Sequence, residues 1–124
     1  MNSTKRVLLV DDFDDSRFSL SKLLEIEGYE VIEATDGAQA IERALTDKPD
    51  LILMDLSLPV IDGLSATRRI RQSDAMKRVP IIALTAHDLA DIQGQAKDAG
   101  GTDYAAKPID FTQLIDMMAK YLIQ

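Results

Sequence analysis

The chain has 124 residues, 46% of them apolar and 28% charged, which suits one self-folding domain over residues 1–124 and excludes both a multidomain enzyme and a disordered chain. Lys and Arg number 14 against 21 Asp and Glu, a net charge of −7, so the field of the whole molecule repels phosphate backbones and anionic membranes and argues against either as a direct partner. Cysteine is absent and histidine occurs once, which excludes disulfides, thiolate nucleophiles and thiolate or multi-histidine metal sites; any metal must be held by oxygen.

The N-terminal Met1 to Arg6 leads into only four apolar residues, Val7-Leu8-Leu9-Val10. That is too short for a secretory core, and no run approaches a membrane span, so a cytoplasmic location is expected. The same four residues read as the first strand, closed by Asp11-Asp12. A first helix carries Phe18, Leu20, Leu23 and Leu24, with Asp14 or Asp15 placed to cap its start and Gly28 to take the left-handed position after its last turn. Val31-Ile32 marks a second strand. Asp36-Gly37 opens a second helix with Ala40, Ile41, Ala44 and Leu45 at helical spacing, stopped by Lys48-Pro49. Leu51 to Met54 forms the third strand, ending at Asp55, and Leu64, Thr67 and Ile70 outline a third helix after Asp62-Gly63. Residues 71–80 read as a longer loop. Ile81 to Leu84 forms the fourth strand, ending at Thr85. Leu89, Ile92 and Ala96 outline a fourth helix ending at Gly100-Gly101, the weaker Tyr104-Ala105-Ala106 a fifth strand, and Leu114, Ile115, Met118 and Leu122 a fifth helix capped by Asp110.

Strands starting near 7, 30, 51, 80 and 103 leave room for a crossover helix each time. Three of the runs are continuously apolar, as in strands buried on both faces. The expected fold is therefore α/β, a doubly wound five-stranded parallel sheet with five helices. Ligands of such sheets bind beyond the carboxyl ends of the strands, at Asp11, Ala34, Asp55, Thr85 and Lys107. Asp11, Asp12 and Asp55 would converge there with the Thr85 hydroxyl and the Lys107 ammonium. Three close carboxylates repel one another unless a cation sits among them, and all-oxygen ligation suits Mg²⁺. Three Asp charges, one divalent ion and one lysine sum to zero. Turning one carboxylate into an acyl phosphate adds only about one negative charge, which metal, lysine and hydroxyl can absorb. Asp11 and Asp12, as neighbours, are best spent on the metal; Asp55 stands alone after an apolar run and is the nucleophile. Singly these residues also suit caps and solvated turns; four strand ends with complementary groups point to a site. Lys107 before Pro108 suggests a fixed turn, with a cis peptide as one option, aiming the side chain into the crevice.

Asp11-Asp12, Asp55 with Leu58-Pro59 and Asp62-Gly63, Thr85-Ala86, Gly100 with Asp103-Tyr104, and Lys107-Pro108 together make the chain resemble, over essentially its whole length, the receiver domains of two-component response regulators of the single-domain type. The resemblance implies strand order 2-1-3-4-5. It also implies that Asp55 accepts a phosphoryl group from a phosphohistidine on a sensor histidine kinase or phosphotransfer protein. Asp12, Asp55 and the Ser57 backbone carbonyl would ligate Mg²⁺ directly, with Asp11 acting mainly through water and Mn²⁺ able to substitute. Lys107 and Thr85 would contact the phosphoryl group. Thr85 and Tyr104 would switch the face made by the fourth helix, fifth strand and fifth helix, where a downstream protein binds. Ser57 and His87 would tune phosphoryl lifetime; an exposed or capping role for His87 is favoured over a catalytic base. Gly63 and Pro108 would be structural, and the chain would catalyse only its own phosphotransfer and dephosphorylation.

Two alternatives stand beside this reading. The chain could be the receiver portion of a larger hybrid kinase or transcription regulator, although Met1 and the end soon after the fifth helix favour a stand-alone switch. From the enzyme class, Asp12-Phe13-Asp14 fits the Asp-x-Asp spacing of a haloacid-dehalogenase-type Mg²⁺ phosphatase, at the cost of leaving Asp11 and Asp55 without roles. A flavodoxin-like cofactor carrier fails, because a first loop of carboxylates cannot receive a phosphate.

Overall fold

The computed structural model describes residues 4–86 and 89–122, apart from the side chains of residues 89–91. Strands and helices alternate: β1 (Arg6–Val10), α1 (Asp14–Ile26), β2 (Glu30–Ala34), α2 (Gly37–Asp47), β3 (Leu51–Asp55), α3 (Gly63–Arg71), β4 (Ile81–Thr85), α4 (Leu89–Asp98), β5 (Asp103–Ala106) and α5 (Phe111–Leu122). The strands form one parallel sheet in the order β2-β1-β3-β4-β5, the doubly wound arrangement expected.

Alternation along a strand sends successive side chains to opposite faces, and here both faces are covered. Leu8 and Val10 of β1, Ile52 and Met54 of β3 and Ile81 of β4 pack with Ala40 and Ala44 of α2, Ala66 and Ile70 of α3 and Ala96 of α4. Val7, Leu9, Leu51, Leu53, Ile82 and Leu84 pack on the other side with Leu24 of α1 and Leu114 and Met118 of α5. Each large side chain so buried contributes about 1.5–3 kcal/mol of transfer free energy. This explains the unbroken apolar runs at β1, β3 and β4. β2 and β5 are the edges, more exposed and correspondingly less apolar.

The helix boundaries follow the local chemistry, with one correction. Asp36 and Asp62 cap α2 and α3 by accepting from the Gln39 and Ser65 backbone N–H groups, and Asp110 caps α5 through the Gln113 N–H. Gly28 has φ +99°, and the Gly28 and Tyr29 N–H groups return to the Glu25 and Leu24 carbonyls, closing α1 as a left-handed glycine allows. Neither Asp14 nor Asp15 caps α1. The N-cap is Phe13, without a side-chain cap; Asp14 lies inside the first turn and pairs with Arg17 at 2.6 Å. Phe18 and Leu45, which share the helical spacing, point outward.

The stretch after α3 is more than a loop. A short 3₁₀ turn, Asp74–Met76, plugs buried Met76 into the core. The Arg71 guanidinium spans it, donating to the Met76 and Val79 carbonyls at 2.6 Å each and to the Gly100 carbonyl at 2.7 Å. No described helix is long and apolar enough to cross a membrane.

Candidate functional site

All five predicted positions lie at the carboxyl end of the sheet. Asp55 is the last residue of β3 and Thr85 of β4; Asp11 and Lys107 directly follow β1 and β5. Ala34, at the end of β2, contributes only its carbonyl, which accepts the Asp11 N–H. Asp11, Asp55 and Thr85 are buried, whereas Asp12 is exposed.

The carboxylates converge. Asp11, Asp12 and Asp55 each offer an oxygen, and the three oxygens lie within 4.8 Å of one another. Asp55 Oδ1 accepts from the Ser57 backbone N–H at 2.9 Å, and its Oδ2 from Lys107 Nζ at 2.6 Å. The lysine side chain is about one-third exposed while the Asp55 side chain is almost fully enclosed. The peptide Lys107–Pro108 is cis, and the Lys107 N–H donates to the Thr85 carbonyl at 2.7 Å. Tyr104 pairs with Ala83 across β5 and β4 and is half-buried against the core on the α2–α4 side. His87 lies outside the described residues.

The loop between β3 and α3 is shaped by close backbone approach. A Cβ on Gly63 would collide with the Asp55 carbonyl oxygen and meet Leu56 Cα at 2.7 Å, so glycine is required directly beside the Asp55 backbone. Gly37 is similarly confined by the Ile61 carbonyl, a role its place in an Asp-Gly helix start does not reveal. In the same loop, Val60 takes φ +68°, an unusual conformation for a β-branched residue.

Two further residues at the site escaped the sequence reading. Ser16 Oγ lies 2.5 Å from Asp11 Oδ2. Arg17 donates to the Asp11 carbonyl at 3.0 Å and is paired with Asp14 and Glu33. Those hydrogen bonds and charges, led by Asp14, raise the Arg17 pKa further. Their only signal in the sequence was a hydroxyl and a cation one helical turn or so beyond the acidic pair.

An all-oxygen set of three carboxylates, two of them buried, fits a hard divalent ion. Mg²⁺ is bound through one or two carboxylates while keeping several waters, and exposed Asp12 leaves an open side for them. The arrangement does not suit the phosphatase reading. Asp14, which that motif makes the acid, is 86% exposed in its side chain and paired with Arg17, while Asp11 and Asp55 occupy the enclosed cluster.

Comparison with known proteins agrees. The family model of the response regulator receiver domain matches residues 7–119. The polar-differentiation response regulator DivK of Brucella anthropi is 33% identical over 118 residues, covering 95% of this chain and 96% of that one. The transcriptional regulatory protein PdtaR of Mycobacterium tuberculosis is 42% identical over 90% of this chain, which spans 53% of its length. Among solved structures, the receiver domain of sensor histidine kinase PA1611 from Pseudomonas aeruginosa, with a magnesium ion coordinated in its active-site cleft, superposes with TM-score 0.89 at 39% identity, covering 96% of this chain and 98% of that one. Chemotaxis protein CheY4 of Vibrio cholerae gives TM-score 0.91 at 30% identity, covering 97% and 100%. The matches to DivK and CheY4 run nearly end to end, and the acidic cluster sits where the fold places its ligands. The chain belongs to the response-regulator receiver domains, the phosphoacceptor signalling switches of two-component systems.

Proposed function

We propose that residues 1–124 form one receiver domain in which Asp55 takes a phosphoryl group from the phosphohistidine of a sensor kinase or phosphotransfer protein. The contact that carries the reading is Lys107 Nζ on Asp55 Oδ2, inside a cluster of three carboxylates. In the transfer, a carboxylate oxygen of Asp55 forms the new P–O bond as the P–N bond of the phosphohistidine breaks, and the imidazole leaves with the bond's electron pair and picks up a proton. The carboxylate charge of −1 becomes about −2 on the acyl phosphate. Lys107, on a flexible stem, can follow from the carboxylate oxygen to a phosphoryl oxygen, and the Thr85 hydroxyl can approach the same group. The Ser57 N–H holds the other carboxylate oxygen in place. Asp12, Asp55 and the Ser57 carbonyl would hold Mg²⁺ directly and Asp11 mainly through water, with Mn²⁺ able to take its place; the ion when bound would neutralise charge on the transferring group.

Movement of Thr85 toward the phosphoryl group would free space for the Tyr104 ring and alter the α4–β5–α5 face for a downstream protein. Ser57 and His87 would tune phosphoryl lifetime, and Gly63 and Pro108 would hold the flanking loops. An apolar groove lined by Leu20, Leu23, Ile109 and Phe111, with Asp11 and Lys107 also lining it, supports a protein rather than a small metabolite as donor. In this reading the chain catalyses only its own phosphotransfer and dephosphorylation, and a cytoplasmic site accords with an aspartyl phosphate supplied by a kinase. The mycobacterial relatives, of which the chain spans about half, favour a second reading in which these residues are the receiver part of a longer protein.

Intact-mass analysis after acetyl phosphate or beryllofluoride treatment with Mg²⁺ tests the assignment. One adduct is expected on the wild type and none on Asp55→Asn. Phosphoryl gain by Asp55→Asn at the wild-type rate overturns it.

A further inference from the structure

Asp11 is the most firmly held of the three clustered carboxylates. Its Oδ1 accepts the Phe13 N–H at 2.9 Å and its Oδ2 the Ser16 hydroxyl at 2.5 Å. Its own N–H donates to the Ala34 carbonyl at 3.1 Å, and its carbonyl accepts from Arg17 at 3.0 Å. Asp55 also has both oxygens engaged, but Oδ2 only by the tip of a lysine. Asp12 has no hydrogen-bond or ion-pair partner among the described residues. Among the described residues, Ser16 is thus the one side chain bonded to Asp11 Oδ2. Its single hydroxyl proton has a second acceptor, the Phe13 carbonyl, only at the longer distance of 3.2 Å.

Ion size makes that restraint chemically meaningful. Mg²⁺ needs near-octahedral oxygens at about 2.0–2.1 Å, releases water reluctantly and tolerates few direct carboxylates, whereas Ca²⁺ accepts 6–8 oxygens at about 2.3–2.6 Å in flexible geometry. A carboxylate pinned at both oxygens by its own loop is set to accept hydrogen bonds from an ion's retained water. One released at Oδ2 becomes an additional direct ligand, which the larger ion exploits.

We propose that Ser16 is a positioning residue for metal selectivity: by holding Asp11 Oδ2 it keeps that carboxylate back from the ion and favours Mg²⁺ over Ca²⁺. This rests on the metal role of the acidic cluster proposed above. Ser16 is exposed in the first turn of α1, and alanine is a better helix former than serine, so Ser16→Ala keeps the fold; Ser16→Thr keeps the hydroxyl.

The experiment is a titration of wild type, Ser16→Ala and Ser16→Thr with Mg²⁺ alone and with Ca²⁺ alone, following backbone amide shifts in ¹⁵N-labelled protein, with acetyl phosphate labelling of Asp55 measured separately. Ser16→Ala should narrow the Mg²⁺-over-Ca²⁺ preference about fivefold, on the scale of one hydrogen bond's net worth, and Ser16→Thr should stay within about twofold of wild type. Two affinities that move in step, as a merely structural role would give, or an unmoved preference overturn the role of Ser16 while leaving the acidic site standing. A wild type that takes up neither ion overturns the selectivity role together with the metal site beneath it.

Discussion

Lys107 Nζ reaches Asp55 Oδ2 at 2.6 Å although β4 separates their strands. Two strand spacings amount to roughly 9.5 Å, so an extended lysine and an aspartate side chain meeting over the end of β4 just close the gap. The ammonium therefore sets a positive charge on one of three clustered carboxylates that would otherwise repel one another. Removing Lys107 and removing the Asp55 charge should then act with opposite sign. Without divalent ions, Lys107→Ala should lose about 1–3 kcal/mol, the scale of a charged hydrogen bond, and Asp55→Asn should be at least as stable as wild type because one repelling charge is gone. Urea unfolding of the two variants measures this. Shifts of the same sign would contradict the electrostatic account of the cluster.

Mg²⁺ should stabilise the native chain by linkage, because the cluster it relieves exists only when β1 and β3 are paired. At ten times its dissociation constant the gain is about 1.4 kcal/mol, or roughly 5 °C in Tm for a domain of this size. Asp12→Ala, which removes the one carboxylate open to solvent, should lose most of that rise. Thermal melts with and without Mg²⁺ decide it, and an equal rise in both proteins would remove Asp12 from the metal site.

Thr85 and Tyr104 should respond together. Thr85 is buried at the end of β4, and Tyr104 lies on the neighbouring strand with its ring half-buried, so a shift of one changes the space open to the other. A phosphoryl group biases the switch only by bonding better in one arrangement. Ring-labelled NMR with and without beryllofluoride should show a Tyr104 shift in wild type, reduced in Thr85→Ala although Asp55 is still modified. An unmoved Tyr104 signal on activation of wild type would leave the output face unassigned.

The Asp62 cap should make α3 sensitive to acid. The Ser65 backbone N–H, opposed in part by burial and helped by the Ser65 hydroxyl, the Leu64 N–H and the Arg68 charge, holds the Asp62 carboxyl below its ordinary value of 3.8. A lowered folded value means that the cap's contribution is complete above 3.8 and is lost as pH falls through the folded value. Asp62→Ala should cost about 1 kcal/mol at pH 7, with the gap to wild type shrinking below about pH 4. A gap that stays constant down to pH 3 in denaturant titrations would place the effect in packing rather than in the charged cap.

Much of this molecule is determined locally. The continuous apolar runs of β1, β3 and β4 declare strands buried on both faces, and Asp36, Asp62, Asp110, Gly28 and Gly100 mark helix ends through backbone bonds made within a few residues. Parallel strands then carry their C-terminal residues to one edge, so strand order and length alone place Asp11, Asp55, Thr85 and Lys107 together. What depends on side-chain direction across that edge belonged to the tertiary structure. The Asp11 carboxylate closes on Phe13 and Ser16, leaving Asp14 to Arg17 and α1 without the side-chain cap its acidic start suggests. Arg71 finds three carbonyls in two segments far apart in the chain, and Gly37 is confined by a loop more than twenty residues downstream. Periodicity and capping leave a trace in neighbouring letters; the Arg71–Gly100 and Gly37–Ile61 approaches join segments far apart in the chain, and the bonds of Asp11 with Phe13 and Ser16, though close in sequence, depend on a side-chain direction that is set only once the sheet edge is packed.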